Sequence, residues 1–179
     1  MNIEQLKYPL GKFVLPASVR SEELEQWVGD IESLPGKLYH TLSKLSEEQM
    51  NQSYRPGGWT VSQVVHHIAD SHMNGILRFK WALSESGTVI KPFDEQSWAR
   101  FGDYQLSADV SLRLIYALHD HFVCLMRSLD PSDWTRTYTN PQSGTIYSLE
   151  QAAALYSWHG RHHHAQISLL TISADPAKI

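Results

Sequence analysis

From Leu149 to about residue 172 the chain keeps a helical apolar stripe, and that stripe runs through histidines. Leu149, Ala152, Ala153, Tyr156, Gly160, Ile167 and Leu170 share one face, and His163 falls inside it. His159 lies at its edge, about 80° from Leu149 around the axis. Four of the chain's ten histidines fall within residues 159–164. Residues four apart stand one above the other on a helix, so His159 and His163 form a pincer with Gln166 on nearly the same face. Two imidazoles facing a core are costly unless hydrogen-bonded or metallated. The pincer is therefore half of a metal site or a pair of satisfied core histidines, and the segment alone weighs these evenly. His162 and His164 turn away by about 60° and 140°, which suits solvent or supporting contacts.

The remaining pattern is a scaffold of helices. Residues 1–20, with Pro9, Gly11 and Pro16, read as an extended arm over the fold. A helix begins at Ser21 with Glu22, Glu23 and Glu25 in its first turn, and Pro35-Gly36 kinks or breaks it. Ser46-Glu-Glu-Gln49, Thr60-Val-Ser-Gln63 and Ser148-Leu-Glu-Gln151 each have the form of a capping box. The second of these opens a helix over about 61–84, striped by Val61, Val65, Ile68, His72, Ile76, Phe79 and Leu83. Residues 85–106 hold Phe93, Trp98, Phe101 and Tyr104, too aromatic for a solvated linker, and predict a cap over one end of the fold where a pocket opens. Another helix spans about 108–129, and Tyr138 to Tyr147 read as a small β-hairpin around a turn. Ala174–Ile179 forms a tail. Four long amphipathic helices and little else predict an all-α four-helix bundle, one domain over residues 1–179.

Net charge is −4, which argues against nucleic acid or an anionic membrane as partner. No apolar run is long enough to span a bilayer, and the N-terminus lacks the pattern of a signal peptide. The single cysteine, Cys124, excludes an internal disulfide and fits a reducing cytoplasm. Flanked by Val123 and Leu125, it reads as a small buried hydrophobe.

A third ligand has several candidates. His66, His67 and His72 all lie on the 61–84 helix, and spacing does not choose among them. His72 is mid-stripe, as a ligand or a satisfied core histidine; His67 flanks a polar patch with Asp70, Ser71 and Asn74. His119 is mid-stripe on the 108–129 helix and suits hydrogen bonding in a pocket, while His40 and His121 read as surface residues.

The chain resembles the DinB-like superfamily, in its YfiT-type branch of proteins described as metal-dependent hydrolases. The residues that carry the resemblance are Tyr54-Arg-Pro-Gly-Gly-Trp59-Thr-Val-Ser-Gln-Val-Val-His66-His67-Ile-Ala-Asp70-Ser-His72-Met-Asn74, Arg78-Phe-Lys80, and Trp158-His159-x3-His163-x2-Gln166. Weaker similarity runs over nearly the whole chain. The resemblance implies that His67, His159 and His163 are the three ligands of a divalent ion, zinc first and nickel second. It also implies an up-down-down-up bundle and a homodimer. Arg161 and Gln166 depart from the pattern and bear on what surrounds the triad. Three neutral imidazoles leave zinc its full charge and an open position for water, whose pKa falls toward about 7. That is hydrolytic chemistry on a small-molecule substrate. Asp70, one turn from His67, is the candidate base or orienting group, or merely a helix fixture. A second possibility is transfer of a low-molecular-weight thiol held as thiolate by the ion, with Arg55, Arg78 or Arg161 receiving the thiol's carboxylates. A non-enzymatic metal module would instead close the fourth position with His72 or His119.

Overall fold

The computed structural model describes residues 2–173 of the chain, with side chains through Thr171; Met1 and the expected tail lie outside the described residues. Four long helices dominate it: α2 (Ser21–Leu42), α4 (Val61–Ser84), α6 (Ala108–Arg127) and α8 (Leu149–Ser173). Short helices punctuate the connections: α1 (Ile3–Lys7), α3 (Glu47–Met50), α5 (Glu95–Trp98), a 3-10 turn at Gly102–Gln105, and α7 (Pro131–Trp134). All three capping boxes form. Thr60 and Gln63, for example, exchange backbone-to-side-chain bonds of 3.0 and 3.2 Å, and Ser148 and Gln151 do the same at 3.1 and 3.2 Å.

Each long helix packs on two others, α2 on α8 and α6, α4 on α6 and α8. The core divides along the bundle axis into two apolar layers. One gathers Val28, Ile31, Ile76, Phe79, Phe122, Met126, Leu149 and Tyr156. The other gathers Leu34, Leu38, Val61, Val65, Leu112, Ile115, Ile167 and Leu170. Helices α2 and α8 run from the first layer to the second, while α4 and α6 run from the second to the first. The bundle is therefore up-down-down-up. Between the layers lie His72, His119, His159 and His163, and His67 joins this polar belt from the second layer by packing on His159 and His163.

The expected hairpin is present as β2 (Thr137–Asn140) and β3 (Thr145–Ser148), paired antiparallel. A two-residue strand, β1 (Thr88–Val89), adds to it in parallel and makes a three-stranded sheet. Two residues are too few to show alternation, so the sequence pattern did not reveal it.

Two expectations are corrected, and two pairs of alternatives are narrowed. The N-terminal arm is not wholly extended: Asn2 and Gln5 form a capping box that starts α1. Helix α2 runs through Pro35, which excludes the break of the two alternatives there. Proline removes the N–H that would bond the carbonyl four residues earlier, and that carbonyl, on Ile31, accepts from His119 Nδ1 at 2.5 Å. A neighbouring helix has replaced the missing bond. Cys124 is exposed, on the outer face of α6, rather than buried. Of the two roles expected for His162, the supporting one holds: it is buried and accepts from the Gln166 amide.

Candidate metal centre

Three imidazoles converge in the polar belt. His67 from α4 and His159 and His163 from α8 bring one ligand nitrogen each within 4.8 Å of one another. The Nε2 atoms of His67 and His159 are 3.1 Å apart. Two nitrogens bound tetrahedrally at 2.0–2.1 Å to one ion sit about 3.3 Å apart, so the spacing fits a shared divalent ion. The donor set fits as well, because burial holds all three rings neutral. His67 is pushed down to about 4 by desolvation and the neighbouring His162. His159 and His163 lie well below the ordinary histidine value through desolvation, with neighbouring histidines adding to the effect. A three-histidine site able to bind a divalent metal is thus built into the fold.

Hydrogen bonds choose which nitrogen each ring offers. A side-chain carbonyl only accepts, so His163 Nδ1–H donates to Gln166 Oε1 at 2.8 Å and leaves Nε2 bare. Gln166 is itself held by its amide group, which donates to the Lys7 carbonyl at 2.9 Å and to His162 Nε2 at 3.0 Å. The arm therefore fixes a histidine of the cluster through one glutamine. It is pinned further by Gln151 donating to the Pro16 carbonyl and by Phe13 against Trp158. On His159, Nδ1 lies 3.2 Å from His72 Nε2. With His159 Nε2 turned to the cluster, Nδ1 carries the proton and His72 accepts it. His72 is fully buried, and its ring stacks on His119 at 4.8 Å and 5°.

The three histidines of α4 are thus separated by direction. His66 turns to α6, bonding Ser111 Oγ at 2.7 Å and the Leu106 carbonyl at 3.1 Å. His67 enters the cluster, and His72 stands behind His159. His119 makes the pocket hydrogen bond expected of it, His164 bonds Thr41 Oγ1, and His40 and His121 are exposed. Asp70 accepts from the Tyr104 hydroxyl at 2.7 Å. Its pKa is raised by desolvation and pulled back by that bond, and the charges it feels belong to Asp103 and His66. It is not one of the groups within ligand distance of the triad. Neither His72 nor His119 belongs to the group of three: His72 meets His159 from behind, at Nδ1.

The aromatic loop and the segment leading into α4 roof the cluster. Trp59 covers His67 at 4.7 Å between centroids, with Phe93 at 6.5 Å and Trp98 packed on Phe93. Two cavities open at its flanks. One, of about 260 Å³, is lined by His159, Ser71, Arg78, Phe93, Tyr156 and Trp158. The other, of about 130 Å³, is lined by His163, Tyr54, Arg55, Trp59 and Gln96.

The model of the DinB superfamily matches residues 30–167. The chain belongs to the DinB superfamily. A relative from Oceanobacillus iheyensis, provisionally named a metal-dependent hydrolase, is 46% identical over 94% of this chain and 98% of its own. One from Bacillus mycoides with the same provisional name is 44% identical over 94% and 96%. Among solved structures, YfiT from Bacillus subtilis, described as a probable metal-dependent hydrolase with an unusual four-helix bundle topology, superposes with a TM-score of 0.91. It is 38% identical and covers 94% of this chain and 97% of its own. A mycothiol-dependent maleylpyruvate isomerase shares the fold at a TM-score of 0.66 and 17% identity, over 80% of this chain and 60% of the isomerase. This DinB bundle agrees with the fold class, topology and family anticipated from the motifs.

Proposed function

We propose that this DinB-superfamily chain is a metal-dependent hydrolase of a small-molecule substrate, with His67, His159 and His163 as ligands. The observation that carries the proposal is the convergence of three neutral imidazole nitrogens within 4.8 Å, flanked by two open cavities. A divalent ion there supplies Lewis acidity and lowers the pKa of a water toward about 7. Zinc suits the all-imidazole set best, and nickel is the second choice. The chain's own residues supply the rest. Gln166 and His72 hold two ligand rings in the correct tautomer, and Trp59 and Phe93 keep bulk water off His67.

Asp70 is the carboxylate proposed to move the proton, supported by its raised pKa and its place one turn beyond His67. Its bond to Tyr104 supports an orienting role equally, so the two roles are separated by measurement. Asp70→Asn on the metal-loaded enzyme, with ester and amide substrates across pH, removes the acid limb of the rate profile if Asp70 is the base. An unchanged profile with a modest fall in rate makes it an orienting group.

Thiol transfer is the second possibility, and one observation favours it: Arg78 and Arg55 each line a cavity beside a ligand histidine. Titrating cobalt-loaded protein with carboxylate-bearing thiols separates the two chemistries, since direct sulfur ligation adds an intense charge-transfer band. A non-enzymatic module is disfavoured because the histidines it would need, His72 and His119, sit behind His159. We also propose one bundle domain over residues 1–179, acting in the cytoplasm as a homodimer with no nucleic-acid partner. The family resemblance and the net charge of −4 support this, and no described helix is long and apolar enough to cross a membrane.

A further inference from the structure

The cavity beside His159 holds two opposite charges that do not pair. Arg78, half-buried on α4, donates from its guanidinium to the Tyr156 hydroxyl at 3.0 Å. Among the described residues, no carboxylate lies within ion-pair distance of it. The other two arginines considered from sequence are occupied elsewhere. Arg161 pairs with Asp30 at 3.2 Å, and Arg55 donates to the Tyr54 hydroxyl and the Pro56 carbonyl.

Glu95, at the start of α5, lines the same cavity. Its carboxyl is raised by desolvation and drawn back down by the charge of Arg78, so the two groups sense each other without touching. Ser71, Asn140 and Gln142 complete the polar lining, against walls from Phe93 and Trp158. The Tyr138 hydroxyl also feels the guanidinium. Two neutral hydroxyls leave the charge uncompensated and several of its five N–H donors free for an anionic acceptor. A wider cavity of about 530 Å³ lies beside it and shares Pro92, Phe93, Glu95 and Gln142.

We propose that this cavity receives an amino-acid-like ligand, its carboxylate forked onto Arg78, its ammonium or amide N–H on Glu95, and its reacting end toward His159. The assignment rests on the metal centre proposed above. A neutral ester leaves both charges unanswered, and a polyanion meets Glu95.

Three hydroxamates test this with one metal-binding head. Acetohydroxamate carries no further charge, succinic acid monohydroxamate adds a carboxylate, and aspartate β-hydroxamate adds an ammonium as well. Their binding to the cobalt-loaded full chain is read from its visible spectrum. Each added group is expected to tighten binding by about tenfold. Arg78→Gln removes the first gain and Glu95→Gln the second, while acetohydroxamate, the control for folding, binds both variants as it binds wild type. Arg78→Lys keeps part of the first gain, through charge without the fork. Equal binding of the three probes to wild type, or a carboxylate gain that survives Arg78→Gln, overturns the assignment alone. Failure of wild type to take up cobalt overturns the metal centre and the assignment with it.

Discussion

Metal-binding histidines usually donate their second N–H to a carboxylate or a carbonyl. His163 follows that pattern with Gln166, but His159 faces another neutral imidazole. His72 lies well below the ordinary histidine value because burial and its histidine neighbours disfavour the cation, so it can accept the proton of His159. With an ion bound as proposed, a neutral acceptor would leave the His159 ring less electron-rich than a carboxylate would, and more of the ion's charge would remain for a substrate. His72→Leu should weaken zinc binding about 10–100-fold, measured by competition with a chromophoric chelator. His72→Gln, whose amide oxygen also accepts, should recover part of that loss. Equal losses in both variants would indicate that His72 only fills space. The pincer was legible because its spacing is a property of one helix. The role of His72 was not, since it depends on which nitrogen of another helix it meets. Cys124 was misplaced for a related reason: apolar neighbours in sequence do not face the same way on a helix.

At the scale of elements, the helices, capping boxes and hairpin were legible because each is written in local pattern. The irregularities were not, because their cause lies on another element. Proline at position 35 reads as a kink or a break, and the choice waits on His119, which takes the orphaned Ile31 carbonyl. Close approach of α4 and α8 is likewise invisible in one strip of sequence. It depends on Gly75, where an added Cβ would stand 2.7 Å from the Tyr156 ring. That ring is buried against Phe122 and His72 and can yield only toward the cavity, at the cost of its bond from Arg78. Gly75→Ala should destabilise the fold by about 1–3 kcal/mol through overpacking, read as a lower urea midpoint. It should also lower metal affinity, because Tyr156 is one turn from His159. An unchanged midpoint would mean that the helices separate freely here.

Across the whole molecule, the bundle places a layer of neutral histidines between two apolar layers. His67, His119 and His162 are each pushed down to about 4, mainly by desolvation. In the unfolded chain the same residues titrate near 6.5. Between about pH 6.5 and 4 the unfolded state therefore binds more protons, and stability falls as the pH falls through that window. Urea midpoints of metal-free protein should drop steadily from pH 7 to pH 5, and a flat series would place these rings in water. Metal should deepen the pH dependence, because protons and the ion compete for the same nitrogens. Metal stoichiometry tests the centre itself most directly, in wild type beside His159→Ala, both freed of purification tags. Wild type should hold about one equivalent of zinc or nickel and the variant close to none, with helix content unchanged by circular dichroism. A wild type that binds no metal, or a variant that keeps the full equivalent, would contradict the three-histidine centre.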